Sequence, residues 1–257
     1  MEISLKNRIA LVTGSAQGIG EGIALVLARA GADVVVCDIE EEMGLATVAA
    51  VRELGVRGLY VNADISDPDA VKGMMRLIAE FGGLDIIVNN AAVEYFRSIE
   101  ETTLEEWDRT QSVDLKGIFL TTKFGLPMLK AAKSPIIINI SSVHATATIP
   151  DLGAYAAAKG GIVAMTHSMA QDLGRDGIRV LTVSPGFVYA GMTKVWLDSQ
   201  EDRQETLDRV NSMHPGGRIG TPEDIGNLVA FLCTDFGGFI NGVNVIIDGG
   251  LTTMLHH

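Results

Sequence analysis

The sequence predicts an α/β fold: a doubly wound parallel sheet of seven strands with helices on both faces. Three observations predict it. Short apolar runs rich in β-branched residues recur along the chain, each followed by a longer stretch with helical spacing. The runs are apolar almost throughout rather than alternating, as strands covered on both faces must be. Glycines punctuate the end of the first run and an acidic residue closes the second, the marks of a βαβ unit.

Taken in order, the candidate strands are Arg8–Thr13, Asp33–Asp38, Arg57–Asn62, Asp85–Asn89, Pro135–Ser141, Arg179–Ser184 and Asn244–Asp248. Between them, helix starts are predicted by capping chemistry. Ser66-Asp-Pro-Asp69, Thr103-Leu-Glu-Glu106 and Thr221-Pro-Glu-Asp224 each set a side-chain acceptor before a carboxylate three residues on. The segment Ala154 to Gly174 also has helical spacing. The stretch 187–217 stands apart, with Trp196, two methionines and many charges after a strand. Long excursions in compact domains are usually functional, so it is expected to form a substrate loop containing short helices.

A chain of 257 residues with 47% hydrophobic content can bury one sizeable core, and one domain over 1–257 is the expectation. The net charge of −12 argues against nucleic acid as a partner, because binding to it draws on clustered Lys and Arg. Two cysteines, Cys37 and Cys233, are too few for a disulfide framework or a clustered metal site and suit a reducing cytoplasm. No metal is expected. No apolar run is long enough for a signal peptide or a membrane span, so a soluble cytoplasmic protein is anticipated. Repeats, low-complexity segments and Pro/Ser-rich linkers are missing from the sequence.

The first strand runs into Thr13-Gly14-Ser-Ala-Gln-Gly18-Ile19-Gly20, and helical spacing follows. Glycines let the backbone turn sharply and approach a pyrophosphate, while N–H groups opening a helix offer it partial positive charge. Asp38 closes the second strand, eighteen residues past Gly20, where a carboxylate can accept from both ribose hydroxyls of an adenosine. The same charge would repel a 2′-phosphate. Gln17 and Ile39 beside it are neutral and offer that phosphate no partner, so NAD(H) is expected over NADP(H). Asp64, ending the third strand, is a candidate acceptor for the adenine amino group, with Ile65 packing on the ring.

Beyond this turn the chain carries Asn89-Asn90-Ala91-Ala92, Ser142, Tyr155-x-x-x-Lys159, Pro185-Gly186 and Asp248-Gly249-Gly250, in that order. With the glycine turn, these resemble the short-chain dehydrogenase/reductase (SDR) family over nearly the whole length. The resemblance implies a Rossmann-type fold, a nicotinamide cofactor and a Ser/Tyr/Lys site. It also implies that Lys159 holds the nicotinamide ribose, that Asn89, Asn90 and Ala91 line the cofactor, and that Pro185 and Gly186 lead the chain over the nicotinamide. Val188 would then bond the carboxamide through its backbone.

The residues themselves read the same way. Tyr155 and Lys159 lie at i and i+4 of a helical segment and share a face. An ammonium about 4 Å from the phenol at an effective dielectric of about 20 would stabilise phenolate by roughly 4 kcal/mol, on the order of three pKa units. Tyr155 would thus move toward neutrality, and an oxidised nicotinamide would push the same way. Ser142 could donate to a substrate oxygen as that oxygen gains charge. Tyr155 would take the hydroxyl proton while hydride leaves to the cofactor. The implied activity interconverts a secondary alcohol and a ketone.

Three positions depart from the family pattern. Ala92 replaces a usual glycine, a costly change if the backbone there is left-handed. Ala190 replaces a frequent threonine, for which Thr193 could substitute. Asp114 stands where an asparagine usually supports a water relay to the lysine, and it completes the candidate catalytic set of Ser142, Tyr155, Lys159 and Asp114. Residues expected to face the substrate are His144, Glu94, Tyr95, Phe96, Met192 and Trp196. A cyclic or steroid-like alcohol, a polyol or sugar, and a 3-oxoacyl group all remain open as substrates. An Ala- and Gly-rich helix after Tyr155 and an apolar end, Leu251 to Leu255, fit a homotetramer. The alternatives to this enzyme are a scaffold that binds NAD(H) without turnover, and an epimerase or dehydratase using the cofactor internally.

Overall fold

The computed structural model describes residues 3–254. Seven strands form one parallel sheet: β1 (Ile9–Thr13), β2 (Asp33–Asp38), β3 (Gly58–Asn62), β4 (Ile86–Asn89), β5 (Ile136–Ile140), β6 (Arg179–Pro185) and β7 (Asn244–Ile247). Their spatial order is β3-β2-β1-β4-β5-β6-β7. The order reverses between β1 and β4, and this switch point opens a crevice at the carboxyl ends of the strands. Observed strand ends fall within a residue of those expected. The apolar runs are legible because helices cover both faces, and β1, β4 and β5 are buried along their whole length.

On one face lie α1 (Gly18–Arg29), α2 (Glu41–Glu53) and α9 (Pro222–Leu232), packed on Ala10, Val12, Val34, Ile86 and Ile138. On the other lie α3 (Pro68–Phe81), α5 (Gly117–Ala131) and α6 (Gly153–Gly174), packed on Leu11, Val35, Ile87 and Ile137. Each fully buried Val, Leu or Ile contributes about 1.5–3 kcal/mol against its exposed state. The two layers therefore hold the strand ends rigidly where the site forms.

Two of the three expected caps form as reciprocal boxes. Thr103 and Glu106 open α4 (Leu104–Thr110), and Thr221 and Asp224 open α9. The third is corrected: Asp67, not Ser66, caps α3 by accepting from the Asp69 N–H at 2.9 Å. Pro68 sets the first helical φ, which leaves its predecessor as the cap. The Ser66 hydroxyl donates to Asp64 instead. Between α4 and α5 the chain makes a π-helical turn, Gln111–Lys116, that the sequence reading did not anticipate. The stretch 187–217 carries α7 (Gly191–Asp198) and α8 (Arg203–Ser212), held by a small apolar cluster of Leu197, Val210 and Ile219 with Phe187 and Tyr189. Among the described residues, no helix is long and apolar enough to cross a membrane.

Candidate active site

The glycine turn sits at the switch point. Gly18 has φ of 68°, a left-handed conformation that favours glycine, and a Cβ on Gly20 would lie 2.1 Å from the Gly14 carbonyl oxygen. Gln17 precedes α1 in extended conformation and its side chain does not cap the helix. The first-turn N–H groups, at Gly18, Ile19 and Gly20, have no intrahelical acceptor by helix geometry and open on the crevice side. The Thr13 hydroxyl oxygen accepts from the N–H groups of Asn90 and Ala91 at 3.0 and 3.1 Å. Asn90 Nδ2 in turn donates to the carbonyls of Thr13 and Gly14. The turn is thereby tied to the chain leaving β4.

Asp38 is fixed beside this turn. One carboxylate oxygen accepts from the Ala16 N–H at 2.8 Å, and the other from Ile39 and Glu40. Ile39 is exposed and neutral. An uncapped helix start next to an anchored carboxylate fits the pyrophosphate and ribose of a dinucleotide. Asp64 accepts from the Ser66 N–H and hydroxyl and pairs with Arg109 at 2.8 Å, which holds its carboxyl below the usual range. Ile65 packs into the core against Gly117, so Asp64 is the member of this pair that reaches the surface.

Ala92 does not have a positive φ, so its methyl costs no left-handed strain. Pro185 ends β6, and Gly186 donates to the Ile247 carbonyl, so close to Asp248 that a Cβ would lie 2.8 Å from that residue's Cβ. Val188 bridges to Gly220 and its carbonyl accepts from Ala190, which precedes α7. Met192 lies in the first turn of α7, and its side chain is outside the described residues.

The chemistry-bearing side chains meet at the ends of β4 and β5 and the first turns of α6. Lys159 is 2% exposed, and its Nζ lies 5.1 Å from the centre of the Tyr155 ring. The ammonium donates to the Ile140 carbonyl at 3.3 Å and pairs with Asp114 Oδ2 at 3.4 Å. Asp114, fully buried in the π-helical turn, accepts from the Val93 N–H at 2.8 Å through its other oxygen. The Ser142 hydroxyl lies beside the Tyr155 phenol and accepts from the His144 N–H. The His144 ring packs edge-on against Tyr155 at 6.0 Å, and its Nδ1 meets the Thr148 hydroxyl at 3.0 Å. Burial pushes the His144 imidazole below its ordinary value and favours the neutral ring. Tyr95 and Phe96 are exposed on the segment after β4.

One expectation is overturned. The phenol of Tyr155 is not acidified in this arrangement but pushed above its ordinary value, by burial first and then by the carboxylates of Glu94 and Asp114. The Lys159 charge is there, but Asp114 stands against it and opposes its field. Burial also pushes the Glu94 carboxyl up to about 7, with Asp114 acting in the same direction and Lys159 against it. A second correction concerns Asn89, expected at the cofactor. It is buried in a polar network in which Thr121 donates to its carbonyl oxygen at 2.6 Å and its amide donates to Asn139 at 2.8 Å. Asn139 donates on to Thr166, tying β4, β5, α5 and α6 together. Arg109, the partner of Asp64, was not singled out from sequence; its one local signal is a basic residue in the last turn of α4.

This geometry is that of a dehydrogenase site at the end of a doubly wound sheet, and comparison with known proteins agrees. A family profile described as Enoyl-(Acyl carrier protein) reductase matches residues 14–252. An uncharacterized oxidoreductase of Thermotoga maritima is 40% identical over 254 residues, 98% of each chain. The meso-2,3-butanediol dehydrogenase of Serratia marcescens is 38% identical, covering 96% of this chain and 95% of that protein. The crystal structure of levodione reductase matches with a TM-score of 0.91 at 30% identity, over 97% of this chain and 99% of that one. The chain belongs to the short-chain dehydrogenase/reductase family. It is an oxidoreductase acting on CH–OH groups of small molecules.

Proposed function

We propose that this enzyme interconverts a secondary alcohol and a ketone with NAD(H), using Tyr155 as its acid/base. The observation that carries the reading is the convergence of Ser142, Lys159 and Tyr155 at the open ends of β4 and β5. The bound nicotinamide would supply or accept the hydride. Tyr155 gives its proton to the carbonyl oxygen during reduction and takes it back from the alcohol. Ser142 donates to that same oxygen, and its hydrogen bond is worth most when the oxygen carries charge. Lys159 holds its ammonium beside the phenol. A phenol raised above its ordinary value keeps its proton in the free protein, the form that reduction of a ketone starts from.

Gly14, Gln17, Gly18, Ile19 and Gly20 would hold the pyrophosphate, and Asp38 the adenosine ribose. Asp64 would take the adenine, with Asn90, Ala91, Pro185, Gly186 and Val188 lining the rest. The Asp38 charge, flanked by neutral Ile39, supports NAD over NADP. Similarity to a butanediol dehydrogenase supports a secondary alcohol, with His144, Glu94 and Tyr95 at the mouth and α7 and α8 forming a substrate loop. Exposed Phe236, Phe239 and Ile246 near the β7 edge support a homotetramer.

The test is turnover of vicinal diols, cyclic alcohols and sugar alcohols with NAD⁺ and NADP⁺, read by absorbance of the reduced cofactor, beside Tyr155→Phe. The variant should lose at least about 10²-fold in kcat. Retention of activity within about tenfold would remove Tyr155 from the chemistry.

A further inference from the structure

Asp114 faces two donors at once. Its Oδ1 accepts from the Val93 N–H at 2.8 Å, and its Oδ2, which has no hydrogen-bond partner, forms an ion pair with Lys159 Nζ at 3.4 Å. Both side chains are buried. An asparagine has one carbonyl oxygen, so it could answer one of these donors and would turn an NH₂ group on the other. The site as built therefore calls for a carboxylate, the very residue that departs from the family pattern. Through Val93 the same carboxylate holds the segment 93–97, whose Arg97 donates its N–H to the Asp151 carbonyl just before α6. Asp114 thus joins the lysine of α6 to the loop at the mouth of the site.

The charges around Tyr155 come from four elements. Lys159 lies on its own helix, Glu94 on the segment after β4, Asp114 on the π-helical turn, and neutral His144 on the connection after β5. Asp114 itself faces Lys159 and, farther off, Arg109. Without Asp114 the ammonium would be opposed at the phenol by Glu94 alone.

We propose that Asp114 is a positioning residue that works through Lys159: its carboxylate clamps the ammonium, masks part of its field, and so sets the pH at which Tyr155 exchanges its proton. This rests on Tyr155 being the acid/base. A unit charge about 8 Å away at an effective dielectric of about 20 moves a pKa by about 1.5 units, so removing it should lower the Tyr155 midpoint by one to two units.

The experiment is an ultraviolet titration of tyrosinate in the whole protein, with and without NAD⁺. Subtracting a Tyr155→Phe protein in each background removes the signal of Tyr60, Tyr95 and Tyr189. Asp114→Asn should show tyrosinate at lower pH than wild type, and Asp114→Ser, which leaves room for water, provides the same test if the asparagine variant does not fold. With an alcohol that is turned over, the acid limb of kcat/KM should move down by the same interval. Folded variants with no more tyrosinate than wild type at any pH up to unfolding would overturn the proposal. A lowered melting temperature with an unmoved midpoint would also overturn it, leaving Asp114 purely structural. Failure of the acid/base reading is seen separately, as turnover that survives in Tyr155→Phe.

Discussion

Replacing Glu94 by glutamine tests the electrostatics of the site without reference to a substrate. Burial holds this carboxyl at about 7 in the folded protein against an ordinary value of 4.5. The unfolded chain therefore ionises first as pH rises. A group whose folded value is raised costs nothing below the unfolded value, and its penalty grows until pH passes the folded one. The full cost, about 2.5 units at 1.36 kcal/mol each, is about 3 kcal/mol and is reached near pH 8. Near pH 5.5 it is only about 1 kcal/mol. Glutamine keeps the shape and carries no charge to bury. Glu94→Gln should thus be more stable than wild type at pH 8, and its advantage should shrink by about 2 kcal/mol on going to pH 5.5. Urea denaturation at both pH values, with the slope checked for constancy, reads this directly. Parallel stability curves for the two proteins would show that Glu94 is solvated like any surface carboxylate, and the field assigned to it at Tyr155 would fall with it.

Two further outcomes follow from the cofactor end and the core. Asp38→Ala removes the acceptor that also anchors the N–H groups of Ala16 and Ile39; kcat/KM with NAD⁺ should fall at least about tenfold while NADP⁺ gains relative to it, and an unchanged ratio would refute the ribose role. Thr121→Val takes the 2.6 Å donor from Asn89 Oδ1 inside the buried network; a loss of about 1–3 kcal/mol is expected in urea denaturation, and no loss would mean that Asn89 finds another donor.

What was legible in the sequence, and what was not, divides along the range of the forces. The strands declared themselves because burial on both faces selects β-branched runs whatever lies around them. The boxes at Thr103 and Thr221 were legible because a cap is settled within one turn. Asp67 displaced Ser66 as a cap for an equally local reason, since Pro68 dictates where α3 begins. The π-helical turn had no such mark: its extra residue per turn depends on what Asp114 and Val113 pack against, and residue spacing does not record that. Asn89 was misplaced for a related reason, because its partners Thr121 and Asn139 lie on other elements.

The sharpest divergence is at Tyr155, and it follows first from burial of the phenol and then from opposing charges rather than from a misread motif. The cation at i+4 is written into the helix, so acidification of the phenol looked settled by sequence alone. The opposing anions, Glu94 and Asp114, are distant along the chain and arrive by way of β4 and a distorted helix. In a buried site the effective dielectric is low enough for such tertiary charges to weigh as much as a neighbour on the same turn. On the proposed reading, a local Tyr-Lys pair points to the acid/base but not to its working pH, which would belong to burial and to the balance between Lys159 and the two carboxylates packed against it.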